Sequence, residues 1–223
     1  MGSDLPAGAA YTADRAAALA GIPKSTLHYW DRSGIWAPSI SRTKIKRWSF
    51  ADLLALRLID WLRHDKPEEK IPKTSMRKIR QALSTVEAFG ERVEDRSVKV
   101  SVDHSGRVVL NVQGHAVVPL GHGFAQSLTD PAGLDLVDEW KVHKAVRGPH
   151  LFQPRPSLRI IPGKLSGVPH ALGTRIPSRM VWSLRRQGFE TGDIIELYPR
   201  LTPESVEDAI DLEDELERNL TAA

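Results

Sequence analysis

The N-terminal part of the chain alternates short helical patterns with breaks at glycine and proline. Residues 13–20 are rich in alanine, follow Thr12, a residue type that caps helices well, and end at Gly21. Pro23 suits the first turn of a second helix, because its missing N–H is not needed there. This second helix is predicted to run to about Ser33, with a glycine directly after it.

The second predicted helix has two unlike faces. Leu27 and Trp30 lie three residues apart and are expected to face inward. The opposite face offers a hydroxyl, an imidazole, a phenol and a guanidinium, all hydrogen-bond donors for phosphate or base edges. Its members are Ser25, His28, Tyr29 and Arg32. Lys24 lies at the helix start, beside N–H groups that favour anions.

A basic hairpin and a third helix are predicted next. Pro38 and the alternation of apolar Ile45 with the basic residues on either side of it indicate two short strands. The basic residues of this hairpin, with no acid among them, are Arg42, Lys44, Lys46 and Arg47. Ser49 and Asp52 then resemble a capping box. The expected buried stripe of the third helix contains Leu54, Leu58, Trp61 and Leu62, with Leu53 and Leu56 beside it. This order of elements is that of a winged helix-turn-helix.

In the middle of the chain the spacing of apolar residues changes from that of a helix to that of β-strands. A charged, proline-containing linker at 66–73 leads to a short apolar stripe, Met76, Ile79, Leu83 and Val86, that ends at Gly90. Alternating valines from Val98, a turn at "DHSG", a return at "RVVLNV" and a third segment, "HAVVPLG", then predict a small antiparallel sheet.

The last third begins like a strand and continues as three helices. Met180 and Leu184 form the apolar stripe of the first helix, with Val181 as a further candidate. "TGDIIELYP" is the second helix, and Thr202 caps the third, which has Pro203 at its first position. The predicted fold class is α+β. The predicted domains are 1–66, a winged helix-turn-helix; 67–149, a linker, helix and small antiparallel sheet; and 150–223, a small helical domain resembling a helix-turn-helix.

Charge is distributed unevenly over the 223 residues, whose net charge is +3. The hairpin is basic, whereas eight acids between Glu204 and Glu217 have no basic residue among them. The basic segment is therefore expected to attract phosphate groups and the acidic segment to repel them. The alternative is that both are solvated surface patches.

The sequence contains no motif for membrane insertion, secretion, metal binding or catalysis. The chain has no cysteine, no apolar run long enough to span a membrane and no secretory signal, so we expect a cytoplasmic protein. We expect no metal, because His104, His115 and His122 are scattered without ligand spacing. No nucleophile or phosphate-loop motif is present. Acids at helical spacing, such as Glu204, Asp208 and Asp211, suit a solvated helix face, so we expect neither an enzyme nor a cofactor.

The first 63 residues or so resemble the DNA-binding domain of the MerR family. The matching features are "YT", "AALAG", "STLHYWDRSGI" and a basic wing followed by "SFADL". The resemblance implies that the second helix enters the major groove and that the wing grips the DNA backbone. Carried over, the helix contacts are Ser25, Thr26, His28, Tyr29 and Arg32, and the wing contacts are Arg42, Lys44, Lys46 and Arg47. His28 stands where the family usually has arginine.

Residues 157–212 resemble the small helical domain of unknown function found in antitoxins of VapB type. The matching words are "SGVPHALGTRIP" and "GFETGDIIELYPRLTPESVEDAI". The two resemblances together suggest an antitoxin of the kind known in mycobacteria. They imply a partner toxin of VapC type, a PIN-domain ribonuclease that uses magnesium, and binding of promoter DNA as a homodimer.

Two questions stay open at this point. The toxin-binding surface is unknown: either an arginine enters an acidic active site, or apolar stripes dock in a groove. The candidate arginines are Arg175, Arg179, Arg185, Arg186, Arg200 and Arg218. A regulator that senses a small ligand through its middle domain is the alternative function. The dimer interface is equally open among the short Met76–Val86 helix, the middle sheet and the C-terminal domain.

Overall fold

A computed structural model of the chain describes residues 8–64, 73–81, 98–102, 108–112, 115–117, 137–143 and 146–221. The chain forms two compact units. The first combines Met1–Leu53 with Val137–Ala223, and the second is Leu54–Leu136. Several predicted features lie outside the described residues: residues 66–72 of the linker, most of the helix that ends at Gly90, the "DHSG" turn, and His104 and His122.

Helices and strands alternate along the described chain. The helices are α1 Ala13–Ala20, α2 Lys24–Arg32, α3 Phe50–Arg63, α4 at residues 76–81, α5 Ser178–Arg186, α6 Thr191–Leu197 and α7 Pro203–Thr221. The strands are β1 Val98–Val102, β2 Val108–Val112, β3 His115–Val117, β4 Trp140–His143, β5 Val146–Gly148, β6 Leu158–Arg159 and β7 His170–Ala171. The α+β class is confirmed.

The predicted N-terminal helices form where local signals placed them. The Thr12 hydroxyl accepts the Arg15 N–H at 3.3 Å and caps α1. Gly21 ends α1 with φ +72°, a conformation that glycine adopts without a steric penalty. The capping box of α3 is also confirmed: the Ser49 N–H donates to Asp52 Oδ2 at 2.7 Å, and the Asp52 N–H donates to Ser49 Oγ at 3.1 Å.

The apolar stripe of α3 is broader than the predicted one. Leucines 53, 54, 56, 58 and 62 are all buried, as are Ala55 and Ile59 between them. Trp61 was expected to be buried and is only half-buried. Burial therefore extends around most of this helix.

The three C-terminal helices pack around a shared apolar centre. Val181 of α5, Ile194 of α6 and Val206 of α7 are each at most 1% exposed. The prediction that Met180 belongs to the buried stripe of α5 is wrong, because Met180 is 39% exposed. Val181, the further candidate for this stripe, is the buried residue. The cap of α7 is confirmed: the Ser205 N–H donates to the Thr202 hydroxyl at 3.3 Å.

The acidic helix α7 is not a freely solvated face. Six of its carboxylates accept hydrogen bonds from other parts of the first unit: Glu207, Asp208, Asp211, Glu213, Asp214 and Glu215. Arg155 bonds two of them, Asp211 at 2.6 Å and Glu215 at 2.9 Å. Glu204, Glu207 and Asp211 are exposed as expected, whereas Glu213 is buried, so the prediction of a solvated acidic face is correct only in part.

The N-terminal and C-terminal segments pack into the same unit. The Tyr11 hydroxyl donates to the carbonyl of Gly167 at 3.0 Å, in a site where burial raises the pKa of Tyr11. Arg15 of α1 pairs with Glu213 of α7 at 2.6 Å. The domain boundaries proposed from the sequence stay a prediction, but their two end domains are not spatially separate.

The second unit contains the predicted small sheet. β1 pairs with β2 and β2 with β3, all antiparallel, with Val100 opposite Leu110 and Leu110 opposite Val117. Val108 and Val109 are buried, and so is Ile79 of the described part of α4. The sequence pattern did not predict the separate β4–β5 hairpin of the first unit.

Candidate nucleic-acid interface

The start of α2 is fixed by the tight turn that leads into it. A Cβ atom on Gly21 would lie 2.5 Å from the Gly148 backbone nitrogen, so no side chain fits there. Pro23 precedes the helix in an extended conformation, and no side chain caps the first N–H groups of α2. Exposed helix N-termini of this kind bind phosphate well.

The predicted two-faced character of α2 is present. Leu27 is fully buried and Trp30 is 4% exposed, which anchors one face in the core. On the opposite face Ser25, Tyr29 and Arg32 are exposed, and Tyr29 is exposed by 57%. Thr26 and His28 are half-buried and lie at the edges of this face. A hydroxyl, a phenol and a guanidinium are thus presented together to solvent.

The wing, residues 39–47, is held by one backbone bridge. Ser41 and Arg47 exchange two backbone hydrogen bonds of 3.3 and 3.0 Å. The predicted two-stranded hairpin is therefore reduced to a single antiparallel bridge. Arg42 and Lys44 are exposed near the tip, while Arg47 is half-buried beside the bridge. Ile45 between them is 64% exposed.

Two predicted contact lysines form ion pairs within the protein. Lys46 Nζ pairs with Asp31 Oδ2, which ties the wing to the last turn of α2. Lys24 Nζ pairs with Asp14 Oδ1 at 2.7 Å and links α2 to α1, and the two side chains are 43% and 53% exposed. The other predicted contact cations, Arg32, Arg42, Lys44 and Arg47, take part in neither of these two ion pairs. Arg42 Nε donates to the Pro38 carbonyl at 3.3 Å.

Asp52 fixes the base of the wing, a role that the capping pattern alone did not indicate. Its buried carboxylate accepts the Trp36 indole N–H at 3.0 Å and the Ser39 N–H at 3.0 Å, besides the Ser49 N–H. One side chain thus joins Trp36, before the wing, and Ser39, its first residue, to the helix that follows the wing. Only the i, i+3 spacing to Ser49 was visible in the sequence.

The arginines considered for a protein partner differ in their surroundings. Arg185 donates to Glu190, Thr191 and Glu207, and Arg200 donates to the Gly173 carbonyl at 3.1 Å. Arg179 and Arg186 lie over the Trp182 ring, at 5.9 and 4.8 Å from its centroid. Arg175 and Arg218 are exposed.

Two further searches cover the described residues only. Within the ranges given above, no group of three or more histidine, aspartate or glutamate side chains is arranged to hold a metal ion. Among the described helices, none is long and apolar enough to cross a membrane.

The N-terminal elements define a winged helix-turn-helix, the class of protein that reads DNA with its second helix. The family model of the MerR HTH family regulatory proteins matches residues 11–66, and that of a protein of unknown function, DUF433, matches residues 159–211. The chain thus carries a MerR-family helix-turn-helix domain at its N-terminus and a DUF433 domain at its C-terminus. Neither a curated protein nor a solved structure matches the chain.

Proposed function

We propose that this chain is a transcription regulator that binds the promoter of its own gene through α2 and the wing. The observation that carries the proposal is the solvent-facing group of Ser25, Tyr29 and Arg32 beside the exposed cations Arg42 and Lys44. Hydrogen-bond donors on a helix suit base edges, and cations on a wing suit the phosphates on either side. As a homodimer the chain would place two such surfaces on one duplex.

The salt dependence of binding tests this proposal. Each neutralised phosphate contributes about −0.9 to the slope of log affinity against log salt concentration. Three wing cations in each of two subunits give a slope of roughly −5 for a dimer and roughly −3 for a monomer. Fluorescence anisotropy would follow a duplex with the sequence upstream of the gene and a shuffled duplex of equal composition. Equal affinity for both duplexes would contradict the proposal.

We further propose that the DUF433 domain neutralises a VapC-type PIN-domain ribonuclease, which makes the chain an antitoxin. Exposed apolar and basic side chains of this domain support the proposal. Leu172 is 56% exposed, and Arg175 of the same turn extends into solvent. Leu197 is 53% exposed at the end of α6. Arginine is enriched among the residues that contribute most to binding between proteins. With DNA and a ribonuclease as its proposed partners, the chain is expected to act in the cytoplasm.

Ribonuclease inhibition tests the antitoxin proposal directly. A PIN-domain protein encoded next to this chain should lose activity when the chain is added in excess. The variant Arg175→Ala should inhibit less well, whereas Arg185→Ala, whose guanidinium is held within the protein, serves as the matched control. Full ribonuclease activity with the chain in excess would contradict the proposal. A ligand-induced rise in melting temperature, with no protein partner recovered, would favour the ligand-sensing regulator instead.

A further inference from the structure

Helix α1 of the helix-turn-helix is bound by a buried ion pair to the last helix of the chain. The Arg15 guanidinium donates to both oxygens of Glu213, at 2.6 and 2.7 Å. The two side chains are 11% and 4% exposed. A bidentate pair of this kind fixes orientation as well as distance. The position of α1 therefore depends on a residue 198 positions away in the sequence.

Glu213 also bonds a second helix of the C-terminal domain. The hydroxyl of Ser178, the first residue of α5, donates to Glu213 Oε1. Ser178 is 1% exposed, so this contact is also shielded from water. One carboxylate thus joins α1, α5 and α7, and a polar network buried in this way holds its members firmly only while all partners are present.

Asn219, less than two turns further along α7, holds the other end of α1. Its amide Nδ2 donates to the Ala18 carbonyl at 3.1 Å and to the Arg147 carbonyl at 2.5 Å. Its Oδ1 accepts the Arg147 N–H at 3.2 Å, and the whole residue is 2% exposed. The last turn of α1 is therefore fastened to both α7 and β5.

The position of α1 determines where α2 begins. Only residues 21–23 separate the two helices, and Gly21 packs directly against the Gly148 backbone. Since φ of Pro23 is fixed, this connection has little freedom to absorb a tilt of α1. Every residue that holds α1 through this network lies outside the matched segment 11–66.

We propose that Glu213 and Asn219 are positioning residues for DNA recognition, so that specific binding by α2 requires the C-terminal domain. This inference rests on the proposed binding of promoter DNA. Loss of either side chain would allow α1 and α2 to shift relative to the wing. Base contacts would then be lost, whereas phosphate contacts, which depend on charge more than on register, would persist.

The test compares two duplexes and three variants of the full chain. Glu213→Gln and Asn219→Ala are expected to weaken binding to the upstream duplex about tenfold or more, within the roughly 5- to 150-fold range of typical coupling between sites. Affinity for the shuffled duplex should change by less than about twofold, because the wing cations are intact. Glu217→Gln, on the same helix, is the control for the change in charge. Circular dichroism establishes that each variant is folded.

The outcomes separate positioning from stability. Partial unfolding would reduce affinity for both duplexes alike, and that result, or unchanged affinity for both, would overturn the inference. An equal effect of Glu217→Gln would overturn it as well. Asn219→Ala, which removes no charge, decides the matter if Glu213→Gln does not fold. Failure of the wild-type chain to prefer the upstream duplex would instead count against the proposed function.

Discussion

At the scale of single residues, Lys46 shows how the fold redistributes charge. Its place among Arg42, Lys44 and Arg47 suggested a phosphate contact, but its ammonium group pairs with Asp31 of α2. The pair joins the wing to α2, and it leaves the neighbouring Lys44 as the exposed lysine of the wing. The two lysines are therefore expected to respond differently to substitution.

Lys44→Ala is expected to weaken binding to every DNA sequence by a similar factor. The side chain would contact phosphate only, so its loss should reduce the salt slope by about 0.9 per subunit. Titrations of the upstream and shuffled duplexes at several salt concentrations measure both quantities. A loss confined to the upstream duplex would show that Lys44 reads bases instead.

Arg32→Ala is expected to act on specificity. An exposed guanidinium on the donor face suits a base edge, and losing such a contact costs about 1–3 kcal/mol of binding free energy. The ratio of affinities for the two duplexes should therefore fall. Arg63→Ala, on α3, is a control arginine outside the donor face. Unchanged binding by the Arg32 variant would remove α2 from the role assigned to it.

His170 is expected to make stability depend on pH. The residue is 1% exposed, and its burial lowers the pKa of the imidazole. The hydrogen bond with the Val168 carbonyl raises this pKa, and the positive charge of Lys164 lowers it. Below its ordinary pKa of about 6.5 the unfolded chain takes up a proton that the folded chain resists. Stability should therefore fall as the pH drops below about 6.5.

Denaturant unfolding of wild type and His170→Gln at pH 7.5 and pH 5 measures this effect. The wild-type chain should lose more free energy of unfolding between the two pH values than the variant does. Equal losses would mean that His170 titrates alike in both states.

At the scale of elements, local signals were sufficient where a helix is defined by its ends. The helix ends are set by residues that act on backbone groups only a few positions away, so the sequence alone predicts them. These residues are Thr12, Gly21, Ser49 and Thr202. The face of α5 was misjudged because packing against α7, not spacing alone, decides that Val181 is buried and Met180 exposed. β4 and β5 were missed because strands of four and three residues with an irregular register carry almost no pattern.

The turn between α1 and α2 yields a prediction with an internal control. Gly21 and Gly34 both have positive φ, +72° and +66°, but only Gly21 is crowded by backbone. Gly34→Ala should cost about 1–2 kcal/mol of stability from the left-handed conformation alone. Gly21→Ala should cost a further 1–3 kcal/mol or so, because the Gly148 backbone must move. Chemical denaturation compares the two variants, and equal losses would contradict the packing shown here.

At the scale of the whole molecule, the sequence did not predict the contacts between the N-terminal and C-terminal segments of the chain. Arg15 and Glu213 are separated by 198 positions, and Ala18 and Asn219 by 201. No periodicity links such residues, so the acidic helix was interpreted as a solvated surface. Its buried Glu213 and Asn219 instead connect it to α1 of the helix-turn-helix. The candidate donor face on α2 was predictable only because it is local.

The most direct test of the account is hydrogen–deuterium exchange of the full chain with and without the upstream duplex. Binding through the proposed interface predicts slower exchange in α2 and in wing residues 39–47. A smaller effect is expected in α1, which the C-terminal helix holds in place. Protection confined to α5, α6 or α7, with α2 and the wing unchanged, would contradict the account.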